Sequence, residues 1–581
     1  MKMGDLVPVS EGAEAFIELL NANNVDYIFL NPGTDIVPIQ EAVVKFKSLG
    51  RRTPEVVLCL HESIAMAAAI GHFMVSGRPQ VVLVHGDVGT QQVGGALHNA
   101  QRGRAAVIFC AGRAPSISGE WRRGGRTQRR EWLQDTFDQS GIVRNYVKWD
   151  YMLRSTENIA EVVQRAFQIS TTQPCGPVYL TLPREVLMEK MDGIKIPPPA
   201  RYRGATTPQG DTELLTEVAG WLLHARQPLI IPGYSGRNTH AVAPLVELAE
   251  MLGARVVTSE LRMNFPLRHP LCAGIVSSKG GVNPEYLKEA DVILIVDHDV
   301  PYVPSSSQPR ADSKIIHIDI DPAKQDLPLW GFPADILLQA DSAKAIPALN
   351  DMIRAKLTPE LRRYFQERFK QIESEHEKLR ATWHSLATGK AGQKPISSEW
   401  LSNCIDQVVD EETIVLTEVM TDGASVARQL RRNQPGTLFA NAGSNLGWGL
   451  GASLGAKLAA PHKTVVSLIS DGSFVFGCPV AALWAASQSN APFLAIVYNN
   501  QRYNAPINAI RNLYGKDSFC ATTGDWTGCE IKPSPEYALV ARACNAYGNT
   551  VTEPAGILPA LQEALERVHA GQPAVVDVRI A

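Results

Sequence analysis

Two stretches of this chain combine residue types and spacings that could do chemistry. Between Val465 and Asn500 the sequence reads VVSLISDGSFVFGCPVAALWAASQSNAPFLAIVYNN: a β-rich run ending at Ser470, then Asp471–Gly472–Ser473, a helical pattern, and a second β-rich run ending in Asn499–Asn500. Both polar ends fall at the carboxyl ends of parallel strands, the edge at which α/β sheets hold ligands. A hard divalent cation such as Mg²⁺ takes near-octahedral oxygen ligands, usually one or two from protein and the rest from phosphates and water. Asp471 and Asn500 would supply two such oxygens. Gly472 would let the backbone approach a phosphate, and the helix that follows would offer free N–H groups and a positive dipole end. The second stretch, CLHESIAMAAAIGHFMVSG, carries Glu62 directly after a β-rich run, at the start of an Ala-rich helix and with no neighbouring cation. An acid in that place is commonly a dipole complement or cap. In an apolar pocket it would instead have its pKa raised by burial and could share a proton.

Elements of alternating type must position these residues. Helical patterns alternate with β-rich runs such as Val25–Leu30, Val56–Leu60 and Val81–Val84, which implies parallel sheets. The first block, residues 1–190, closes on Val178–Pro183, and Ile194 to Asp211 is rich in Pro, Gly and Thr and reads as a linker. A second block, residues 191–360, has β-rich runs at Pro228–Pro232, Arg255–Thr258, Val292–Val296 and Lys314–Asp321. Its turn Gly233–Tyr234–Ser235–Gly236 is only a fragment of a dinucleotide fingerprint, so a structural domain is expected. Residues 361–395 belong to a charged, solvated helix. The third block, residues 396–581, has β-rich runs at Thr413–Thr417, Thr464–Ile469 and Phe493–Tyr498. The expected fold class is α/β, with three doubly wound parallel sheets. Blocks one and three match in size and pattern without a residue-level repeat.

Composition narrows the function. A chain of 581 residues exceeds what one core supports, and 45% hydrophobic with 20% charged residues is ordinary for a globular protein. A formal net charge of −3 offers no field for a phosphate backbone, so nucleic acid is not an expected partner. Arg122, Arg123, Arg126, Arg129 and Arg130 form one local basic cluster, read as a solvated loop or subunit contact rather than an anion or coenzyme A site. Nine cysteines, scattered singly, read as reduced thiols. No signal peptide or long apolar run is present, which points to a cytoplasmic protein with no membrane partner.

The Asp-Gly-Ser and Asn-Asn pair about thirty residues apart resembles the diphosphate-binding signature of the thiamine diphosphate (ThDP) enzyme superfamily of pyruvate decarboxylase and acetolactate synthase. The strand, His-Glu and small-residue helix around Glu62 resembles the segment with that superfamily's activating glutamate. The resemblance spans essentially the whole chain. It implies a pyrimidine-binding, a central and a diphosphate-binding domain. It further implies that Asp471, the Asn500 side chain and the main-chain carbonyl of Arg502 bind Mg²⁺, that Gly472 and Ser473 border the diphosphate, and that Glu62 promotes loss of the thiazolium C2 proton. A cofactor bridging two subunits is implied as well, hence a homodimer or homotetramer. The Asp-to-Asn interval is about two residues longer than usual, within Phe476 to Pro479.

Details resemble benzoylformate decarboxylase. Asn31–Pro32–Gly33–Thr34 is similar to its Asn-Pro-Gly-Ser turn, so Gly33 would border the cofactor and Thr34 would bond the substrate carboxylate. His85 would relay protons, and His269 falls where a second active-site histidine is found, although a structural role suits it equally. Leu446 matches the residue that wedges the cofactor into its bent form, although a plain core role suits it equally, and His61 and His72 are expected to pack. Asp135–Thr136–Phe137–Asp138–Gln139 resembles an acetolactate synthase segment whose Phe and Gln line the active site. Asp297–His298–Asp299–Val300–Pro301 stands where acetolactate synthases have a flavin-associated segment, so FAD or ADP is not favoured. The expected function is a decarboxylase or carboligase acting on 2-oxo acids. The alternatives are an acetolactate synthase-like transferase, a 2-hydroxyacyl-CoA lyase suggested by the arginine cluster, and a non-catalytic ThDP-binding homologue.

Overall fold

The computed structural model describes residues 6–119, 123–276 and 283–581. Three six-stranded sheets organise them. The first contains β1 (Tyr27–Leu30), β2 (Glu55–Leu58), β3 (Gln80–Val84), β4 (Val107–Arg113), β5 (Asp150–Met152) and β6 (Val178–Pro183), in the order β2-β1-β3-β4-β6-β5. The central sheet contains β7 (Pro228–Pro232), β8 (Arg255–Ser259), β9 (Cys272–Val276), β10 (Val292–Val296), β11 (Lys314–Asp319) and β12 (Ile336–Gln339), in the order β9-β8-β7-β10-β11-β12. The third contains β13 (Ile414–Glu418), β14 (Leu438–Ala440), β15 (Val465–Ser470), β16 (Leu494–Asn499), β17 (Tyr547–Val551) and β18 (Ala574–Arg579), in the order β14-β13-β15-β16-β18-β17. All pairings within the three sheets are parallel. The first and third sheets wind in the same order when each is counted from its own first strand, so the similarity of the two blocks is one of topology. The central sheet has the dinucleotide-fold order. Runs such as Gln80–Val84 and Val292–Val296 are buried along their whole length because helices cover both faces.

Four helices of the first domain frame one sheet edge: α1 (Val37–Ser48), α2 (Glu62–Ser76), α3 (Gly86–Gln92) and α4 (Gly94–Arg102). The charged segment is α5 (Pro359–Thr388), and it is more than a solvated connector. Its Phe365, Ile372 and His376 are buried, and Arg368 donates to the carbonyls of Ala225 and Gly253 in the central domain. In the third domain, α6 (Trp448–Ala459), α7 (Asp471–Phe476) and α8 (Pro479–Gln488) follow β14 and β15. The expected linker, Ile194 to Asp211, contains a two-residue strand, Ile194–Lys195, paired antiparallel with Leu6–Val7.

The first and third domains share a core across α2 and α6. The two helices meet almost backbone to backbone. A Cβ on Gly71 would strike the Ala452 carbonyl, one on Gly455 would strike that of Ala68, and one on Gly451 would lie 2.7 Å from Ala67 Cβ. The run of alanines and glycines that made Glu62's helix conspicuous in sequence is therefore what lets the two domains close on each other. Among the described residues no helix is long and apolar enough to cross a membrane.

Candidate active site

In an open α/β sheet a crevice opens where neighbouring strands send their chains to opposite sides. In the first sheet that point lies between β1 and β3, and the loops leaving them carry Asn31–Asp35 and His85–Gly86. Gly33 lies against the His85 ring, and a Cβ there would collide with Nδ1. His85 Nδ1 donates to Asp35 Oδ1 at 2.5 Å, while Asp35 Oδ2 accepts from Gly86 N at 2.7 Å. A Cβ on Gly112, near the end of β4, would collide with the same carboxylate. The hydrogen bond from Asp35 is the largest of the influences that hold the imidazole pKa above its ordinary value, ahead of the opposing effect of burial. Thr34 is half-buried and its carbonyl accepts from Arg184 Nη1, which also lies 2.8 Å from Glu131 Oε1.

Glu62 is the first residue of α2, 9% exposed, with His61 as the cap whose Nδ1 accepts from Ser63 N. Leu60, just before the cap, is held at φ 56°, a costly conformation for a leucine and one that recurs at functional turns. No lysine or arginine pairs with the Glu62 carboxylate among the described residues. Gly89 of α3 leaves it open: a Cβ there would be 3.2 Å from Oε1 and 3.1 Å from Val84 Cβ. The structure thus gathers Gly33, Thr34, Glu62 and His85 at one edge of the first sheet.

The equivalent crevice of the third sheet lies between β13 and β15. Asp471 follows β15 with its side chain buried, Oδ1 accepting from Gly472 N at 2.8 Å and Oδ2 from Gln501 N at 2.6 Å. Asn500 is buried beside it, its Oδ1 accepting from Arg502 N at 3.1 Å, and Gln501 turns the chain between them at φ 59°. Burial pushes the Asp471 carboxyl up to about 6. Ser473 Oγ is buried without a hydrogen-bond partner, and a Cβ on Gly472 would meet the Tyr503 ring at 2.5 Å. These residues fit a Mg²⁺–diphosphate group: one carboxylate with amide and main-chain oxygens is the donor set of a hard cation, a cation would relieve the buried charge, and the orphaned hydroxyl lacks an acceptor. Within the Asp-to-Asn interval the helix breaks, with Cys478 at φ 45° between α7 and α8 and Pro479 starting the new helix.

Leu446 is half-buried in the turn before α6. That turn is clamped to the first domain: Asn99 of α4 donates to Asn445 O at 2.9 Å and accepts from Asn445 N at 3.1 Å. His269 belongs to neither group within the chain. Its Nε2 lies 3.2 Å from the exposed Glu250 Oε1 and its ring packs edge-on against Phe265 and Phe369 at the rim of the central core. His72 packs likewise, edge-on to Tyr27 with its pKa lowered to about 4 by burial. Gln139 is buried and donates to Gly112 O and Tyr179 OH, whereas Phe137 is fully exposed.

In the arginine cluster, Arg123 pairs with Glu11 and Arg126 with Asp135. Arg129 and Arg130 are exposed, and Arg122 lies outside the described residues. At the crevice of the central sheet, between β7 and β10, acidic and basic side chains pair with one another. Asp297 contacts Arg237 and Ser342 at 2.5 Å each, and Asp299 pairs with Lys324 at 2.8 Å and with Arg104 of the first domain at 2.7 Å. Sequence reasoning missed Asp35, Gly86 and Gly112. Asp35 directly follows Thr34, and an acid in that turn was the one available signal.

Comparison with known proteins agrees with this geometry. Residues 10–142 match the thiamine pyrophosphate enzyme N-terminal TPP binding domain, 215–349 the central domain and 422–578 the C-terminal TPP binding domain. Benzoylformate decarboxylase of Pseudomonas aeruginosa is 27% identical over 504 residues, covering 84% of this chain and 86% of that protein. A probable acetolactate synthase large subunit of Methanocaldococcus jannaschii is 25% identical over 592 residues, covering 98% and 92%. Among solved structures, the thiamine diphosphate-dependent 4-hydroxybenzoylformate decarboxylase of Rhodococcus jostii RHA1 superposes with a TM-score of 0.77 at 23% identity, covering 98% of this chain and 99% of that one.

Proposed function

The chain belongs to the thiamine pyrophosphate enzyme family, and from that premise we propose that it is a Mg²⁺-dependent enzyme that breaks or makes a carbon–carbon bond beside the carbonyl of a 2-oxo acid, in the simplest case by decarboxylation. The observation that carries this reading is Glu62, a buried carboxylate without a lysine or arginine partner among the described residues, set in one crevice with Gly33, Thr34 and His85. A non-catalytic relative would have no use for such an acid. ThDP, when bound, supplies a carbon nucleophile and an electron sink. Glu62 would hold a proton shared with the aminopyrimidine ring, Thr34 would bond the substrate carboxylate, and His85 would move protons at the reacting carbon. Asp471, Asn500 and the Arg502 carbonyl would hold Mg²⁺, with Gly472 and Ser473 against the diphosphate and Leu446 beneath the ring.

The site would be completed by a second copy of the chain, as homodimer or homotetramer. Exposed Trp132, Leu133, Phe137 and Phe476 near the two groups support this, because such an apolar surface is usually covered. Free thiols throughout support a cytoplasmic setting. The pairing of Asp297 with Arg237 and of Asp299 with Lys324 at the central crevice supports a structural role for that domain rather than FAD or ADP binding.

Incubating ThDP- and Mg²⁺-loaded protein with a panel of 2-oxo acids, following CO₂ and carbonyl products together, tests the proposal. Aldehyde with stoichiometric CO₂ is expected, while an acetohydroxyacid would indicate the transferase reaction of the second relative. Glu62→Gln is expected to keep the circular dichroism of the wild type and to lose about 100-fold or more in kcat; unchanged turnover would overturn the assignment.

A further inference from the structure

Release of a 2-oxo acid as an aldehyde consumes one proton: R–CO–COO⁻ + H⁺ → R–CHO + CO₂, the electron pair of the broken C–C bond ending in the new C–H bond. Something must deliver that proton inside the crevice. His85 stands there, and its ring is not free. Asp35 is 2% exposed, and both of its oxygens are engaged, one by His85 Nδ1 and the other by Gly86 N. A carboxylate can only accept, so the hydrogen between the two side chains belongs on Nδ1. Three glycines box the pair in: Gly33 against the ring, Gly112 against the carboxylate, and Gly86, where a Cβ would lie 3.3 Å from Oδ2. An acid packed so closely keeps one orientation.

We propose that Asp35 is a positioning residue of this reaction: it fixes His85 with its proton on Nδ1, leaves Nε2 as the nitrogen that exchanges a proton with the substrate carbon, and favours the charged ring that donates. The inference rests on the 2-oxo acid reading above and deepens it. Other groups facing the ring are Gln134 from the loop before β5, whose side chain also hydrogen-bonds to it, and Asp87 from α3, with Asp135 acting on Asp87 from farther out. Asp135 is itself paired with Arg126, and Glu62 stands on the far side of Gly89. Among the described residues Asp35 is the one acid bonded directly to the imidazole.

Modification of His85 by diethyl pyrocarbonate in the ThDP- and Mg²⁺-loaded protein, followed by peptide mass spectrometry against pH, reads this coupling without turnover. The wild-type midpoint is expected above the ordinary ~6.5; a midpoint at or below that overturns the proposal with no variant needed. Asp35→Asn keeps the shape and the acceptor for Gly86 but turns an N–H toward Nδ1. It is expected to lower the midpoint by about one pH unit, and to lower kcat about tenfold or more with KM within about twofold. An unmoved midpoint, with or without early melting, would mark Asp35 as a packing residue only. If the wild type turns over no 2-oxo acid, the functional reading falls, and the modification data alone decide whether Asp35 governs His85.

Discussion

Burial acts on two acids, Asp471 and Glu418, to different ends. Asp471 has two backbone N–H groups and a neighbouring amide but no cation of its own. Asp471→Ala is therefore expected to weaken ThDP and Mg²⁺ binding by about tenfold or more while the apoprotein keeps its fold, as read by calorimetric titration of the cofactor. Glu418, at the end of β13, accepts from Trp448 N and Gly449 N at the start of α6, and burial still pushes its carboxyl up to about 7. The folded state then retains a proton that the unfolded chain has already lost, from the ordinary carboxylate pKa of 4.5 up to about 7. Stability from this group is greatest below that window and declines as pH rises through it. Glu418→Gln removes the dependence, so its melting temperature relative to wild type should rise between pH 5 and pH 8; a constant difference would show that Glu418 is not the titrating group.

At the scale of elements, the closure of α2 on α6 depends on the absence of side chains. Gly455 has no space for a β-carbon against Ala68 O, and Gly71 has none against Ala452 O. Gly455→Val is expected to cost about 3 kcal/mol in urea denaturation, since neither helix can withdraw without opening a core that both sheets share. The same contact sets the height of Glu62 and of the Leu446 turn, at the two ends of the paired helices. Gly455→Ala already adds the β-carbon that meets Ala68 O, so it should lower the melting temperature and turnover together. The break between α7 and α8 ends the first helix after six residues, and Asp471 sits at its start at the sheet edge.

Over the whole molecule, Arg104 joins the first domain to the central one. Its guanidinium is 12% exposed, lies 2.7 Å from Asp299 and 3.6 Å from Asp319, and stacks over Tyr234. Lys324 shares both acids, at 2.8 Å and 2.5 Å, and the cations hold the Asp319 carboxyl well below the usual carboxylate range. Removing one partner of a buried network strands the others, so Arg104→Met is expected to destabilise by about 3 kcal/mol in urea. The cofactor groups stand at the first and third sheets, and cofactor affinity per folded molecule should change little. A large loss of affinity at full stability would instead tie the central domain to the site.

Much of the site could be read along the chain because its chemistry is local in sequence. Asp471 with Asn500, and Glu62 at its helix start, each follow a β-rich run, and strand ends are where parallel sheets place function. Strand positions were also readable, from Pro228–Pro232 to Val292–Val296, because fully buried strands are continuous apolar runs. What tertiary structure alone decided is proximity between segments far apart in sequence. His85 acquires its partner from fifty residues away, Asn445 is held by Asn99, and His269, plausible by its neighbours in sequence, is spent on Glu250 and two phenylalanines. Pattern along a chain reports which face of an element is apolar. It carries no record of which polar side chains the winding of a sheet will bring within bonding distance, and that distance is what gave Asp35 its role.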